Sequence, residues 1–420
     1  MLNVLMNDIL GTPAILLGLF ALFGLLLQKK NSADVVSGTF KTIMGFLILG
    51  AGADIIVGSL NHFGAMFESA FNVQGVIPNN EAIVAVAQNI FGTETALIML
   101  FGMVVNIVLA RVTRFKYIFL TGHHTLFMAC LIAVVLSTGG LTGAPQIIIG
   151  SLVLGLWMVL SPAMLQRYVK EITGSDDIAV GHFGSIGYFF AGLIGQLVGD
   201  KSKSTEEIKV PKSLGFLRDS SVSVALTMAI MFLIVAIFSG QAYVEANLSG
   251  GTNFIVFAMI QAITFAAGVF IILTGVRMLI AEIVPAFKGI ADKVVPHARP
   301  ALDCPSVFPF APNAVIIGFF SSFVAGLLCL FIMPSMGMAA IIPGLVPHFF
   351  TGAAAGVFGN ATGGRRGAII GAFVNGILIS FLPALLLPIL GGLGFENTTF
   401  GDADFGIIGI ILGTIMRIFN

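Results

Sequence analysis

Apolar stretches of membrane length recur along the whole of this chain, and no other feature constrains its fold as strongly. About 20 apolar residues rising 1.5 Å each cross the hydrocarbon core of a bilayer as a helix. Such runs are read at 9–28, 38–60, 95–113, 117–137, 146–166, 179–199, 221–240, 253–284, 314–333, 365–391 and 404–419. Charged residues make up only 10% of the chain, against roughly 25% in a soluble domain, and 57% of it is hydrophobic. The expectation is an all-α polytopic membrane protein of about eleven transmembrane helices, folded as one domain over residues 1–420. Two pieces, 82–92 and 338–359, are too short or too broken by Pro, Gly and amide residues to be plain spans. They predict re-entrant hairpins, since irregular backbone at membrane depth persists only where protein or water covers it.

Lys and Arg favour the cytoplasmic side of a membrane. They cluster here at Lys29-Lys30, Arg111 to Lys116, Arg167 to Lys170, Lys201 to Arg218, Lys288 to Arg299 and Arg365-Arg366. The polar segment 200–220 is therefore expected as a cytoplasmic loop, with the N-terminus outside. The start of the chain carries no basic region ahead of its apolar run, so no cleaved signal peptide is expected. Zero net charge gives no reason to expect nucleic acid as a partner. The three cysteines, Cys130, Cys304 and Cys329, sit in apolar runs and read as small buried hydrophobes. No phosphate-binding loop or dinucleotide fingerprint occurs, so neither direct drive by ATP nor a cofactor is expected.

The two halves of the chain look related. Gly45, Gly52 and Asp54 have Gly268, Gly275 and Arg277 at an offset of 223 residues, and His124 has His348 at 224. The reading is a duplication with halves at about 38–170 and 257–390. An odd number of spans per half makes the repeat inverted, the arrangement of many transporters with broken helices.

Ionisable groups inside apolar spans are functional-site hypotheses by default. His123 and His124 lie within the run Tyr117–Leu136. Imidazole both donates and accepts hydrogen bonds, which suits a hydroxylated substrate; packing against neighbouring helices is the alternative reading. His182 opens another apolar run and is placed in the same cavity or at the membrane surface. Asp303 precedes Pro305, Pro309 and Pro312, which forbid a regular helix and free backbone groups toward a cavity. Asp303 and Asn313 are candidates there, with a helix cap as the plainer role for the aspartate. Asn360 lies in the segment Phe358–Arg366, where Gly363-Gly364-Arg365-Arg366 could meet phosphate or simply form a cytoplasmic turn. Arg277 and Glu282, five apart in a long apolar run, read as forming structural ion pairs to other helices. No metal is expected, because adjacent histidines diverge by about 100° on a helix.

Six collinear motifs carry a family resemblance. They are Gly38-Thr39-Phe40-Lys41-Thr42-Ile43-Met44-Gly45-Phe46, Leu120-Thr121-Gly122-His123, Gly181-His182, Gly275 through Glu282, Asp303-Cys304 with Phe310-Ala311-Pro312-Asn313-Ala314-Val315, and Ile341-Ile342-Pro343-Gly344. Together they resemble the ascorbate-type membrane subunit, enzyme IIC, of the bacterial phosphotransferase system. The resemblance implies an eleven-span permease of the bacterial inner membrane. It would be a homodimer built on an inverted repeat, with a substrate-holding core domain and a V-shaped dimerisation scaffold. It implies uptake of L-ascorbate with phosphorylation by separate soluble enzymes IIB and IIA, through an elevator-like movement of the core. Substrate contacts fall on His123, His182 and Asp303. The family carries glutamines where this chain has Phe127 and Phe183, so a flat ring stacked on phenylalanine, or another small polyol or sugar acid, is also implied. An ion-coupled secondary transporter is the rival function, and a membrane-embedded metal enzyme a weaker one.

Overall fold

The computed structural model describes residues 13–72, 75–208, 220–281, 285, 293–391 and 398–419. Helices dominate: α1 (Pro13–Leu27), α2 (Ser32–Phe71), α3 (Asn80–Val112), α4 (Gly122–Thr138), α5 (Gly143–Thr173), α6 (Ser185–Val198), α7 (Ser220–Ser239), α8 (Gln241–Asn247), α9 (Phe254–Ile280), α10 (Pro312–Ile332), α11 (Leu345–Leu390) and α12 (Ala403–Phe419). Among the described residues, six helices are long and apolar enough to cross a membrane, or seven if the bent pair Met228–Ser239 and Gln241–Asn247 is one span. Exposed Phe40, Leu47, Ile148, Leu152, Val256 and Phe331 give these helices the apolar outer surface that lipid requires.

The chain also forms short strands, which an all-helical reading misses: β1 (Gly75–Pro78), β2 (Tyr117–Phe119), β3 (Ala179–Val180), β4 (Arg299–Leu302), β5 (Ala340–Ile341) and β6 (Thr398–Thr399). They make two three-stranded sheets, ordered β5-β1-β6 and β2-β4-β3, in which every pair is parallel. Register is set by Val76 opposite Ile341, Ile77 opposite Thr398, Phe119 opposite Ala301 and Val180 opposite Leu302. Each sheet takes its central strand from one half of the chain and its outer strands from the other.

These strands explain why two expected spans are shorter as helices. The run 117–137 divides into β2 and the 17-residue α4. Asn106 pins the strand by donating to Tyr117 O (3.1 Å) and accepting from Phe119 N (3.1 Å). The run 179–199 divides likewise into β3 and the 14-residue α6.

Of the two expected hairpins, 82–92 lies within the longer helix α3, while 338–359 comprises β5, a short connection and the start of α11. Asn79 caps α3 by accepting from Ala82 N at 2.7 Å, and α3 kinks at Phe91 (φ −117°, ψ 21°). Helix α11 breaks at Gly363 and Gly364. Gly364 has φ +57°, and a Cβ there would run into the backbone carbonyls of Asp200 and Lys203. Leu345–Thr362 and Arg365–Leu390 are therefore two arms of one bent element.

Helix α11 packs mainly on α10 and α6, and α2, α7 and α9 pack on one another. Gly318 on α10 lies directly against the backbone of Gly352 and Gly356 on α11, the close approach that small residues permit in a membrane. Helix α4 is enclosed on all sides, with every residue from His124 to Leu136 buried.

Candidate functional site

The sheet β2-β4-β3 delivers three polar side chains to one place. Parallel strands end on the same edge, so the residues following each of them converge. His123 follows β2 in the first turn of α4, His182 follows β3, and Asp303 follows β4. The converging segments are tied together by Leu120 N to Ala301 O (2.9 Å), by Gly181 N to Leu302 O (2.7 Å), and by the Thr121 hydroxyl, which donates to Gly181 O. His123 Nε2 lies 3.5 Å from one oxygen of Asp303, and His182 Nε2 lies 3.9 Å from the other. The histidines thus stand at strand-to-helix junctions, not at the middle of a spanning helix.

Local bonds orient the rings. His182 Nδ1 accepts from Gly184 N (3.0 Å), which in the neutral ring leaves the proton on Nε2, facing Asp303. His124 Nδ1 takes Phe183 N at 3.4 Å, leaving its Nε2 toward Asp402, 3.9 Å away. The His124 and His182 rings lie 3.7 Å apart between centroids. Asp303 caps the 3₁₀ turn Cys304–Phe310 by accepting from Cys304 N at 2.7 Å, so its capping role and its place in the site coexist.

These groups line a cavity of about 130 Å³, together with Asn80, Glu81, Phe127, Arg277, Pro347, Phe350 and Asp402. A wider space of about 430 Å³ adjoins it, with His123, Arg277 and Asp303 lining both. The side chains of His123 and Asp303 are 23% and 38% exposed, whereas those of His124 and His182 are 4% and 3% exposed. His123 and Asp303 therefore stand at the mouth, and His124 and His182 deeper in. Ligand-type atoms of His124, His182 and Asp402 all lie within 4.8 Å of one another, close enough to hold neighbouring oxygens of one small molecule.

Phe127 lines the cavity, but Phe183 does not. The Phe183 ring stacks on Phe119 (4.7 Å between centroids) and meets Phe405 edge-on. The structure does not bring Asn313 or Asn360 to this pocket either; it brings them to the loop after α6. Asn313 donates to Thr205 O (3.2 Å) and Ile208 O (2.8 Å), and Asn360 accepts from Thr205 N (2.9 Å). Glu206 caps α10 through Asn313 N (3.0 Å) and Ala314 N (3.1 Å). Arg365 bonds Ser204 O and Glu207 in the same clamp, which favours the structural reading of the Gly-Gly-Arg-Arg turn. Glu282, expected like Arg277 to form a structural ion pair to another helix, lies outside the described residues. Cys130, Cys304 and Cys329 are free and buried.

Sequence reasoning missed Asn80, Glu81, Arg277 and Asp402 as site residues. The available signal was a polar group at each edge of an apolar run: Asn79-Asn80-Glu81 before one broken segment, and Asp402 with Asp404 before the last helix. Asp404 is a supporting residue. It accepts from Trp157 Nε1 (2.9 Å), Ser185 Oγ (2.5 Å) and Ile186 N (2.8 Å), and its own N–H donates to Phe183 O (3.0 Å). It thereby caps α6 and fixes the His182–Phe183 turn.

Comparison with known proteins agrees with this architecture. Residues 8–404 match the family described as EIIC-GAT, the sugar-specific permease component of the phosphotransferase system. The ascorbate-specific phosphotransferase EIIC component of Mycoplasma pneumoniae is 28% identical over 439 aligned positions, which cover 90% of this chain and 66%, just under two thirds, of that protein. With a family match over nearly its whole length and a set of apolar helices able to cross a membrane several times, the chain belongs to the sugar-specific EIIC permeases of the phosphotransferase system.

Proposed function

We propose that this chain carries a small polyhydroxylated substrate of the L-ascorbate type across the bacterial inner membrane and releases it for phosphorylation by a soluble enzyme IIB, itself charged by an enzyme IIA. The observation that carries the reading is the convergence of His123, His182 and Asp303 on one cavity that opens to a wider space past His123 and Asp303. Imidazole and carboxyl groups offer several donors and acceptors within one ligand's reach, and Phe127 gives the cavity a flat apolar wall. The name of the Mycoplasma relative supports ascorbate. The absence of amide side chains at Phe127 and Phe183 favours a second reading within the same class, another sugar acid or polyol. Phe127 is kept as a substrate contact in this proposal; Phe183, Asn313 and Asn360 are given structural roles.

The mutual packing of α2, α7 and α9 supports a scaffold distinct from a core of α3 to α6 and α10 to α12. In the proposed mechanism the core slides against that scaffold in a homodimer, carrying the loaded site from one face of the membrane to the other. Phosphorylation then traps the product inside.

Uptake into membrane vesicles supplied with the soluble partner enzymes tests this. Accumulation of phosphorylated ascorbate should require phosphoenolpyruvate. His123→Ala should weaken substrate binding by roughly 5- to 150-fold, the equivalent of losing a buried hydrogen-bond partner worth about 1–3 kcal/mol. Uptake that ignores phosphoenolpyruvate and follows a proton gradient would instead establish ion-coupled transport. Unchanged affinity in the His123 variant would remove the central residue of the site.

A further inference from the structure

The deep wall of the cavity is built by the second sheet in the same way that the first sheet builds its mouth. Glu81 follows β1 and Asp402 follows β6, and these strands are paired, with Pro78 opposite Thr399. Asn80 Oδ1 accepts from Gly401 N at 2.7 Å, locking the two segments side by side. Glu81 and Asp402 are 4% and 3% exposed, and both line the cavity. Glu81 Oε2 and Asp402 Oδ1 are buried without a hydrogen-bond partner. Neither forms an ion pair with Lys or Arg among the described residues; Asp402 faces the His124 ring, with Nε2 at 3.9 Å, and has His182 within 4.8 Å.

Two ionised carboxylates cannot comfortably occupy such a place. A buried charge is costly unless it is paired and hydrogen-bonded, and the alternative open to a carboxylate is to keep its proton. Neighbouring carboxyl groups in one site oppose each other's ionisation. The other charged or titratable groups facing this wall are His123, His124, His182, Asp303 and Arg277, with Tyr188 and Cys304 near enough to feel the charge of Asp402, and Asp404 two residues beyond it. Arg277 is exposed and lines the mouth as well as the cavity. His124 accepts a backbone N–H at Nδ1, the bonding of a neutral ring.

We propose that Glu81 and Asp402 form a proton-holding acid pair, which keeps at least one proton at neutral pH and offers its O–H to an oxygen of the substrate. The proposal rests on the substrate reading above for its second half only. A pocket that carried Glu81, Asp402 and Asp303 all ionised would repel an anionic sugar acid. With a proton on the pair, the deep wall becomes a donor and accepts such a ligand. Above neutral pH the proton passes to water, the wall becomes anionic, and the ligand leaves.

Infrared spectroscopy of the purified, substrate-free protein tests the first half. The carbonyl band of a protonated carboxylic acid should be present at neutral pH, disappear at alkaline pH, and be lost or shifted in both Glu81→Gln and Asp402→Asn. The amides are isosteric, and a change of the band in either variant suffices should the other fail to fold. A spectrum without that band, or with a band that neither substitution alters, overturns the pair.

Calorimetric titration with L-ascorbate tests the second half. Wild-type affinity should fall about tenfold per pH unit on the alkaline side, whereas E81Q/D402N should bind with a flat profile. A flat wild-type profile overturns the donor role. If no ascorbate binds at any pH, it is the substrate reading that fails, and the infrared result still decides the acid pair.

Discussion

Asp404 shows how a residue outside the cavity can govern it. Its carboxylate satisfies three donors on α5 and α6, and the His182–Phe183 turn hangs between that cap and β3. Removing the acceptor leaves the Trp157, Ser185 and Ile186 donors buried without partners, at about 1–3 kcal/mol for each group left unsatisfied. Asp404→Ala should therefore lower the thermal midpoint and weaken ligand binding, and Asp404→Asn, which keeps an acceptor, should recover part of both. Trp157 is the only tryptophan in the chain. Its fluorescence thus reports the loss directly, and unaltered emission in Asp404→Ala would refute the contact. At this scale the sequence was informative for His123, His182 and Asp303, because ionisable groups in apolar runs are conspicuous. It was silent on Asp402 and Glu81, which stand at the edges of such runs and look like ordinary interfacial acids. Asn313 and Asn360 attracted notice for their polarity alone, and that polarity is spent on a loop.

The elements that matter most are the ones hydropathy cannot see. Strands of two to four residues carry no readable period, yet the sheets they form decide which residues meet. The order α2-β1-α3-β2-α4-α5-β3-α6 returns as α9-β4-α10-β5-α11-β6-α12, with the two arms of α11 standing for α4 and α5. This recurrence supports the proposed duplication, of which the sequence showed only scattered glycines and a histidine pair. The bend between the arms depends on Gly364. Its φ of +57° costs other residues about 1–2 kcal/mol, and a Cβ would also strike the carbonyls of Asp200 and Lys203. Gly364→Ala should loosen the clamp made by Asp200 N to Gly363 O (2.9 Å) and Arg365 N to Lys203 O (2.8 Å). Faster trypsin cleavage at the exposed Lys201 and Lys203 is the expected sign; an unchanged digestion rate would show that the bend does not depend on glycine.

At the scale of the whole molecule, the proposed movement needs an interface that can slide. The expected polytopic, apolar chain was legible because burial in lipid leaves a compositional mark over hundreds of residues. The proposed division into a moving core and a fixed scaffold leaves no compositional mark, because it depends on which helices pack on which. Between α2 and α7 on one side and α10 on the other lies an apolar space of about 450 Å³, lined by Phe67, Phe71, Met231, Leu330, Phe331 and Pro334. A tightly interlocked boundary would resist displacement, since packed interiors transmit strain; a loosely filled apolar one does not. Tethering the two sides should therefore stop transport while leaving the substrate pocket intact. Phe71→Cys with Pro334→Cys, joined by a short thiol-reactive bridge, supplies the tether, and the native cysteines are buried away from the reagent. Uptake should fall to background on bridging, while ascorbate binding to the detergent-solubilised protein stays within about threefold of the unbridged double variant, a change under 1 kcal/mol. Full transport by the bridged protein would exclude sliding at this boundary and leave rearrangement within the core as the way the site changes sides.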